Sequence, residues 1–348
     1  SVRGNVQTRM QKMLDATEID GLVVAKAAVD RLLLAEREEF TPTQVKIRKI
    51  LAECHWMILP LEANPAAAAQ GALAIEVASA RDDVKKLIKP IHCAKTFEAV
   101  NIEREILTGF GGGCHQKVGA SVVTKPFGQV IFTRAFTEKT GAVATVELKA
   151  TQNPKTEKVS SSQVFPFNPS DAKWFDRKPL EARLASGPLF VARANGWPEG
   201  AKTAPGQVVW VSGYETWKKL AKKGIWVNGS SESLGEEEAP AVETLLGVKA
   251  GELTWTKLTH SKGTVSPRMK TLATYELVPK SEGPNIKDKT HFYWMSGSSF
   301  DRALELNPWI AKCDHSCGPG NTYTHLKEKL GDSTKLSLFL SHKQWLES

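Results

Sequence analysis

The sequence predicts an α+β unit followed by an α/β region with parallel sheets. Three runs rich in β-branched residues, 118–124, 129–136 and 142–148, are separated only by turn residues, which is typical of an antiparallel sheet. After residue 180, short apolar strands alternate with amphipathic helices of about ten residues, which is typical of parallel sheets covered by helices. The chain therefore combines two kinds of layer.

The composition fits a globular protein with an anionic partner. The chain has 348 residues, of which 41% are hydrophobic, and a formal net charge of +8. No apolar stretch approaches the roughly 20 residues that cross a bilayer, and no signal peptide pattern is present, so we expect a cytoplasmic protein. Five cysteines, an odd number, argue against a disulfide framework. Because the basic residues occur in ones and twos and without a nucleic-acid-binding motif, an acidic lipid surface or a small polycarboxylate or phosphate is favoured over nucleic acid.

Periodicity places helices and strands along the first 110 residues. Met10, Met13 and Leu14 stand at helical spacing, and "GLVVA" at 21–25 has the composition of a strand. Further helices are predicted over 41–52, 82–88 and 94–107, and a buried strand over 72–77.

Composition divides the chain near its middle. Residues 151–179 are rich in Ser, Thr, Asn, Pro and Lys, which predicts a linker between domains. The region 180–348 then forms the second domain. Within this domain, one sequence pattern occurs twice: a predicted strand is followed by a glycine, a threonine and an amphipathic helix. The first copy contains Gly213 and Thr216, and the second contains Gly318 and Thr322. Such helix starts suit a carboxylate or phosphate, although the threonines could equally be simple helix caps.

One short segment isolates a thiol among glycines. In "GFGGGCHQKVGA", Cys114 follows three glycines, which leave room around the sulfur and permit unusual backbone angles. The alternative is a small buried hydrophobic residue after a tight turn. His115 and Lys117 stand close enough in sequence to stabilise a thiolate.

The residues around Cys114 resemble the cofactor-attachment loop of porphobilinogen deaminase, also named hydroxymethylbilane synthase, whose usual form is GGCxxPxGA. Four upstream segments resemble that family's motifs in the right order: "VRGNVQTRM", "DGLVVAKAAVDRL", "AQGALAIE" and "AVNIEREILTGFGGGC". The family's P-x-G after the cysteine is Lys117-Val118-Gly119 here, so Lys117 stands in place of the proline.

The resemblance implies a transferase that condenses four porphobilinogen units into hydroxymethylbilane on a dipyrromethane cofactor bound covalently to Cys114. Residues 1–90 would be the remainder of the family's periplasmic-binding-like second domain with the return strand of its first domain. Residues 91–150 would be its cofactor-attachment domain. The family's N-terminal half should precede residue 1, as a separate chain or a removed segment. The residues that match its cofactor-binding positions are Arg3, Asn5, Arg9, Arg31 and Gln70.

The region after the linker resembles uroporphyrinogen-III synthase, a lyase that closes hydroxymethylbilane while inverting its last ring. The resemblance is carried by "VSGYETWKKLAKKG", "TYELV", "FYWMSGSSF" and "CGPGNTYTHL". It implies that Tyr275 assists loss of the terminal hydroxyl and that no metal is used. The implied substrate-binding residues are Thr216, Ser296, Ser298 and Thr322.

Together these resemblances predict a bifunctional enzyme of tetrapyrrole biosynthesis. The alternative is a non-catalytic scaffold, derived from the same folds, that binds a tetrapyrrole precursor or another protein. A zinc site at Cys313, His315 and Cys317, with His325 near in sequence, is a further, weaker hypothesis, because alternation along a strand gives the same spacing. Tryptophans on predicted strands, such as Trp210 and Trp294, are expected in the core.

Overall fold

A computed structural model describes residues 2–113, 116–138, 141–151, 159–236, 240–263, 265–331 and 335–348. The chain forms two compact units. The first unit contains Ser1–Ile58 and Arg177–Val278, and the second contains Leu59–Asp176 and Pro279–Ser348.

Three helices form one part of the first unit: α1 (Val6–Asp15), α2 (Lys26–Leu33) and α3 (Thr41–Glu53). They share a core of buried apolar side chains, namely Met10, Val29, Leu33, Ile47 and Ile50. The predicted helix at 41–52 is confirmed. The predicted strand at 21–25 is wrong, because this segment is an extended connection in which the Val23 side chain is 76% exposed.

The other part of the first unit is a six-stranded sheet in the order β5-β10-β9-β6-β7-β8. The pairs β10–β9, β9–β6, β6–β7 and β7–β8 are parallel. Helices α6 (Tyr214–Ala221) and α7 (Glu243–Leu246) follow β7 and β8. The strands are β5 (Phe175–Pro179), β6 (Leu189–Val191), β7 (Val209–Val211), β8 (Gly229–Ser230), β9 (Trp255–His260) and β10 (Met269–Pro279).

The second unit begins with an antiparallel sheet and two helices. Helices α4 (Asp82–Ile88) and α5 (Ala94–Gly109) precede β1 (Lys117–Lys125), β2 (Gly128–Thr137) and β3 (Gly141–Ala150), which pair in the order β1-β2-β3. All five elements confirm the sequence predictions. The strand predicted at 72–77 is wrong: this segment forms no strand, and the Leu73 side chain is 97% exposed.

A second, parallel sheet completes this unit in the order β13-β12-β11-β4. Its elements are β4 (Val164–Phe165), β11 (His291–Trp294), α8 (Gly297–Leu306), β12 (Asp314–Cys317), α9 (Asn321–Leu330), β13 (Leu336–Leu338) and α10 (His342–Glu347). The core between sheet and helices contains Trp174, Phe292, Trp294 and Phe300.

The segment predicted as a linker differs from that prediction where it is described. Phe165 lies in a strand of the parallel sheet, and Trp174 is only 1% exposed. The two aromatic side chains provide the reason, because they bury a large apolar area in the same core.

The combination of antiparallel and parallel sheets agrees with the predicted mixture of α+β and α/β layers. In the described part of the chain, every helix is too short or too polar to span a membrane.

Candidate functional site

Three glycines with left-handed backbone follow helix α5 and its C-cap residue Phe110. Gly111, Gly112 and Gly113 have φ angles of 100°, 65° and 88°, which residues with side chains rarely adopt. Two of their amides donate hydrogen bonds to carbonyls in the last turn of α5, at 2.9 and 3.0 Å, and so satisfy the helix end. Cys114 and His115 come next and lie outside the described residues. A backbone turn without side chains therefore leads directly to the predicted attachment cysteine.

Glu103, which belongs to the family-like segment "AVNIEREILTGFGGGC", joins α5 to two other segments. Its Oε2 atom accepts a hydrogen bond from the amide of Ala69 at 2.8 Å, and its Oε1 atom accepts one from the amide of Val122 at 2.9 Å. Hydrogen bonds to an ionised carboxylate are stronger than those between neutral groups. Glu103 therefore ties α5 both to β1 and to the turn that carries Gln70.

Gly119 permits close contact between β1 and the segment around Pro65. A Cβ atom at Gly119 would lie 2.5 Å from the carbonyl oxygen of Pro65. Next to it, the Ala120 amide donates to the carbonyl of Ala66 at 2.9 Å, and the Ala66 amide donates to Ser121 Oγ at the same distance. Gly119 and Ala120 thus make the backbone contact between β1 and the segment around Pro65.

Two further residues singled out by the sequence have described positions. Gln70 is exposed. The Lys117 ammonium lies 5.6 Å from the centroid of the Phe136 ring, a cation–π contact. A role of Lys117 at the thiolate stays a prediction.

The three predicted cofactor-binding arginines belong to the first unit, and all are exposed. Arg9 Nε donates to the Gly4 carbonyl at 2.6 Å, and Arg31 Nε donates to the Ala27 carbonyl at 3.3 Å. Within the described ranges, Arg3, Arg9 and Arg31 form no ion pair with a carboxylate. Their guanidinium groups are thus available to an acidic ligand.

Asn5 has a local structural role. It is the N-cap of α1, and its Oδ1 atom accepts a hydrogen bond from the Thr8 amide at 2.9 Å. The cap fixes the start of the helix that carries Arg9.

The carboxyl edge of the six-stranded sheet carries Thr216. Its Oγ1 atom lies 3.4 Å from Ser212 Oγ, which donates to the Ala192 carbonyl at 2.8 Å. The simple-cap alternative is wrong for both threonine motifs, because the N-caps of α6 and α9 are Gly213 and Gly320, neither of which makes a side-chain cap bond.

Tyr275 lies in the same unit and has two neighbours that the sequence analysis missed. It is the register partner of His260, and the ring centroids of the two residues are 5.8 Å apart. Tyr275 also lies close enough to Arg193 for the two groups to interact electrostatically. The sequence carried no signal for this grouping, because only the pairing of neighbouring strands brings these residues together.

The remaining predicted residues belong to the second unit. Ser296 is the N-cap of α8: its Oγ accepts from the Ser299 amide at 3.3 Å and lies 2.9 Å from Ser299 Oγ. Ser298 and Thr322, in the first turns of α8 and α9, are half-buried. Of these three hydroxyls, Ser296 is thus already used in a helix cap.

A histidine that the sequence analysis considered only for the zinc site, His325, lies near these hydroxyls. His325 Nε2 lies 2.7 Å from Asp301 Oδ1. A Cβ atom on Gly297 would come within 2.6 Å of the His325 ring, so the ring packs on the backbone at the start of α8. Gly297, which lies between Ser296 and Ser298, was the sequence feature that could have indicated this close packing.

The zinc hypothesis does not fit the position of His315. Its Nδ1 accepts from Trp294 Nε1 at 2.9 Å, and Nε2 lies 3.0 Å from the Ile310 carbonyl oxygen. Burial lowers the pKa of His315 to about 4. Both ring nitrogens are thus engaged in the core, and the part of the chain that is described contains no group of three potential metal ligands.

Comparison with known families first identifies the start of the chain as similar to a cofactor-binding domain. Residues 1–86 match the family model described as "Porphobilinogen deaminase, dipyromethane cofactor binding domain". The cofactor expected from the sequence, dipyrromethane, is the one that this domain binds.

Individual relatives extend the similarity beyond that segment. The chain is 35% identical over 155 residues to a porphobilinogen deaminase from Burkholderia orbicola, a match that covers 42% of this chain and 41% of the relative. It is 39% identical over 119 residues to the enzyme of that name from Neisseria meningitidis, covering 34% and 32%. The chain therefore spans less than half the length of these curated relatives.

The described residues fit a dipyrromethane by their chemistry. In the first unit, three exposed arginines, which have no carboxylate partner among the described residues, suit the acidic substituents of a pyrrole cofactor. In the second unit, taken by itself, the glycine run places no side chains immediately before Cys114.

Proposed function

We propose that this chain contains part of an enzyme that assembles hydroxymethylbilane from porphobilinogen on a dipyrromethane attached to Cys114. The observation that carries the proposal is the match of residues 1–86 to the cofactor-binding domain. The left-handed run Gly111–Gly113 supports the attachment point, because a bulky group on a thiol needs neighbours without side chains.

In this proposal the chain's own residues bind and orient acidic groups. When bound, dipyrromethane supplies the pyrrole carbon to which each new unit is added. Arg3, Arg9 and Arg31 hold carboxylates through their planar, permanently charged guanidinium groups. Gln70 adds an exposed amide, and Glu103 positions the turn on which Gln70 stands.

We further propose that the region after the three-stranded sheet is a fused uroporphyrinogen-III synthase-like domain. Support comes from the topology: the chain forms β4 in one parallel sheet, continues through β5–β10 in another, and then forms β11–β13 in the first. Such α/β sheets bind ligands at the carboxyl ends of their strands, and Thr216, Ser298 and Thr322 follow those ends.

Tyr275 is proposed to assist departure of the terminal hydroxyl of hydroxymethylbilane. Its ring is buried, and the positively charged Arg193 lies nearby. The hydroxyl-bearing residues would hold the carboxylates, so that the correct carbon attacks. Fusion of the two activities would raise the effective concentration of an unstable intermediate at the second site.

The synthase proposal is tested by supplying hydroxymethylbilane to the full-length natural protein and separating the uroporphyrinogen isomers formed. We expect the isomer with the inverted ring, and Tyr275→Phe should lower its rate of formation about a hundredfold or more, a typical effect of losing a general acid. As a control, Tyr323→Phe removes a hydroxyl from helix α9 and should leave the rate unchanged. Formation of only the uninverted isomer, at the rate seen without protein, would exclude the synthase and favour a scaffold.

A further inference from the structure

An open groove lies beside helix α5 in the second unit. The helix packs on β1, where Glu103 accepts the hydrogen bond from Val122. The strand order β1-β2-β3 places β3 on the far side of the sheet from β1. Because a helix is about 10 Å wide and neighbouring strands are about 4.8 Å apart, one helix covers about two of the three strands. The groove is the space that α5 leaves open over β2 and β3.

The groove has an apolar lining and a negatively charged rim. Its volume is about 410 Å³, and its apolar lining residues are Ile102, Ile106, Phe110, Ile131 and Val143. Two exposed carboxylates line its opposite walls, Glu105 from α5 and Glu147 from β3. Within the described ranges, neither carboxylate forms an ion pair or a side-chain hydrogen bond. The groove therefore suits an apolar segment that also carries positive charge.

An exposed apolar stripe lies on another segment of the same unit. Helix α4 and the 3₁₀ helix that follows it, Lys89–Ile91, carry four apolar residues at the spacing of one helical face. This α4 stripe consists of Val84, Leu87, Ile88 and Ile91. The Leu87 side chain is 77% exposed and the Ile91 side chain 69%. All residues from 82 to 91 are described, and none of them is buried. Because so short a helix is marginal without packing, the stripe needs a partner.

The charge of this segment is opposite to that of the groove. Residues 84–91 contain three lysines, Lys85, Lys86 and Lys89, and no acidic residue. Lys86 and Lys89 have no carboxylate partner in the part of the chain that is described. Lysines beside the stripe would meet the unpaired carboxylates of the groove rim, and such complementarity orients one surface on another.

The partner of the groove is a second copy of this chain. Ile91 is joined by two residues to Ala94, the start of α5, whereas the groove begins at Ile102, about 12 Å further along that helix. The four side chains of the α4 stripe therefore cannot all reach the groove of their own chain. We propose that the groove of one copy binds the α4 stripe of a second copy, in a two-fold dimer that makes this contact twice.

Sedimentation equilibrium of the full-length chain tests the apolar part of the contact. We expect a monomer–dimer equilibrium in which Leu87→Ser raises the dimer Kd about tenfold or more, the change expected when one leucine is no longer buried. Leu73→Ser removes another exposed leucine of the same unit and should leave the Kd unchanged. Both side chains are exposed within one chain, so circular dichroism should show both variants folded.

Charge reversal tests the identity of the partner. One variant carries Glu105→Lys and Glu147→Lys, and the other carries Lys85→Glu and Lys89→Glu. Each variant alone should be mainly monomeric, because like charges then meet at both contacts of the dimer. An equimolar mixture should recover the dimer, because each groove then meets a helix of opposite charge.

Three results would overturn the proposal: a full-length chain that stays monomeric at every concentration, equal Kd values for Leu87→Ser and Leu73→Ser, or a mixture of the charge variants that does not dimerise. None of the residues changed belongs to the proposed cofactor-binding or substrate-binding residues, so the outcome is independent of the proposed enzymatic function.

Discussion

The carboxylate of Glu103 lies 2.9 Å from the backbone amide of Val122, and this hydrogen bond joins α5 to β1 on either side of the glycine-cysteine loop. The second carboxylate oxygen holds the amide of Ala69. One side chain thus fixes the two elements that flank Cys114 and the turn before Gln70. Its role is to position the residues proposed to carry and bind the cofactor.

Glu103→Gln should destabilise the second unit. An amide side chain offers one carbonyl oxygen where two amides now need acceptors, so one backbone donor loses its partner. We expect the free energy of unfolding to fall by about 1 to 3 kcal/mol, measured as a shift of the urea transition. Glu98→Gln, at an exposed position on the same helix, should cause no comparable shift. Equal urea midpoints for Glu103→Gln and Glu98→Gln would refute the proposed positioning role of Glu103.

Gly119→Ala should also be destabilising, because the new Cβ atom would meet the Pro65 carbonyl oxygen. Relieving that contact requires a shift of the backbone, and overpacking of this kind costs about 1 to 3 kcal/mol. At Gly109 a Cβ atom would have no neighbour within 4 Å, so Gly109→Ala is the control. Thermal unfolding of both variants measures the difference, which a neutral Gly119→Ala would contradict.

The elements that were predicted correctly are those with strong local patterns. Helix α5 and the strands β1–β3 follow from periodicity and turn residues, which depend on neighbours in sequence. The segments 21–25 and 72–77 have the composition of strands but lack pairing partners in the described part of the chain, and their apolar residues Val23 and Leu73 are exposed.

Long-range packing accounts for what sequence patterns missed. Trp174 stands in a segment with the composition of a loop, and only the distant β11 and α8 make it a core residue. In the candidate sites, family-like motifs identified Tyr275 and Thr216. Arg193 and His260 gain significance only when neighbouring strands bring them to one edge, which a linear pattern does not specify.

Cys93 should be the most reactive of the four cysteines that the structure describes. A hydrogen bond from Thr96 lowers the pKa of Cys93, which is exposed. Burial raises the pKa of Cys54, Cys313 and Cys317. Because the thiolate is the nucleophile, iodoacetamide at neutral pH should label Cys93 ahead of these three, as followed by peptide mass spectrometry. Earlier labelling of Cys313 would contradict this order, and Cys93→Ser should remove the fast phase.

Acid should weaken the core around His315. The neutral ring accepts from Trp294 at Nδ1, so protonation there would place two donors against each other. Burial lowers the pKa of His315 to about 4, below the value of about 6.5 in an unfolded chain. The stabilisation is therefore present above pH 6.5 and is lost as the pH falls toward 4, by about 3 kcal/mol in total.

Urea unfolding at a series of pH values between 7.5 and 4 measures that loss. His315→Gln should flatten the dependence, whereas His92→Gln, at an exposed position, should not. A slope that His315→Gln leaves unchanged would assign the acid sensitivity to other groups.

Intact-protein mass spectrometry of the natively purified full-length protein tests the central proposal most directly. We predict an added mass equal to two linked pyrrole units that disappears in Cys114→Ser and persists in Cys93→Ser. An unmodified chain in which Cys114 reacts with iodoacetamide would contradict the cofactor attachment and favour a scaffold that retains only the family's sequence motif.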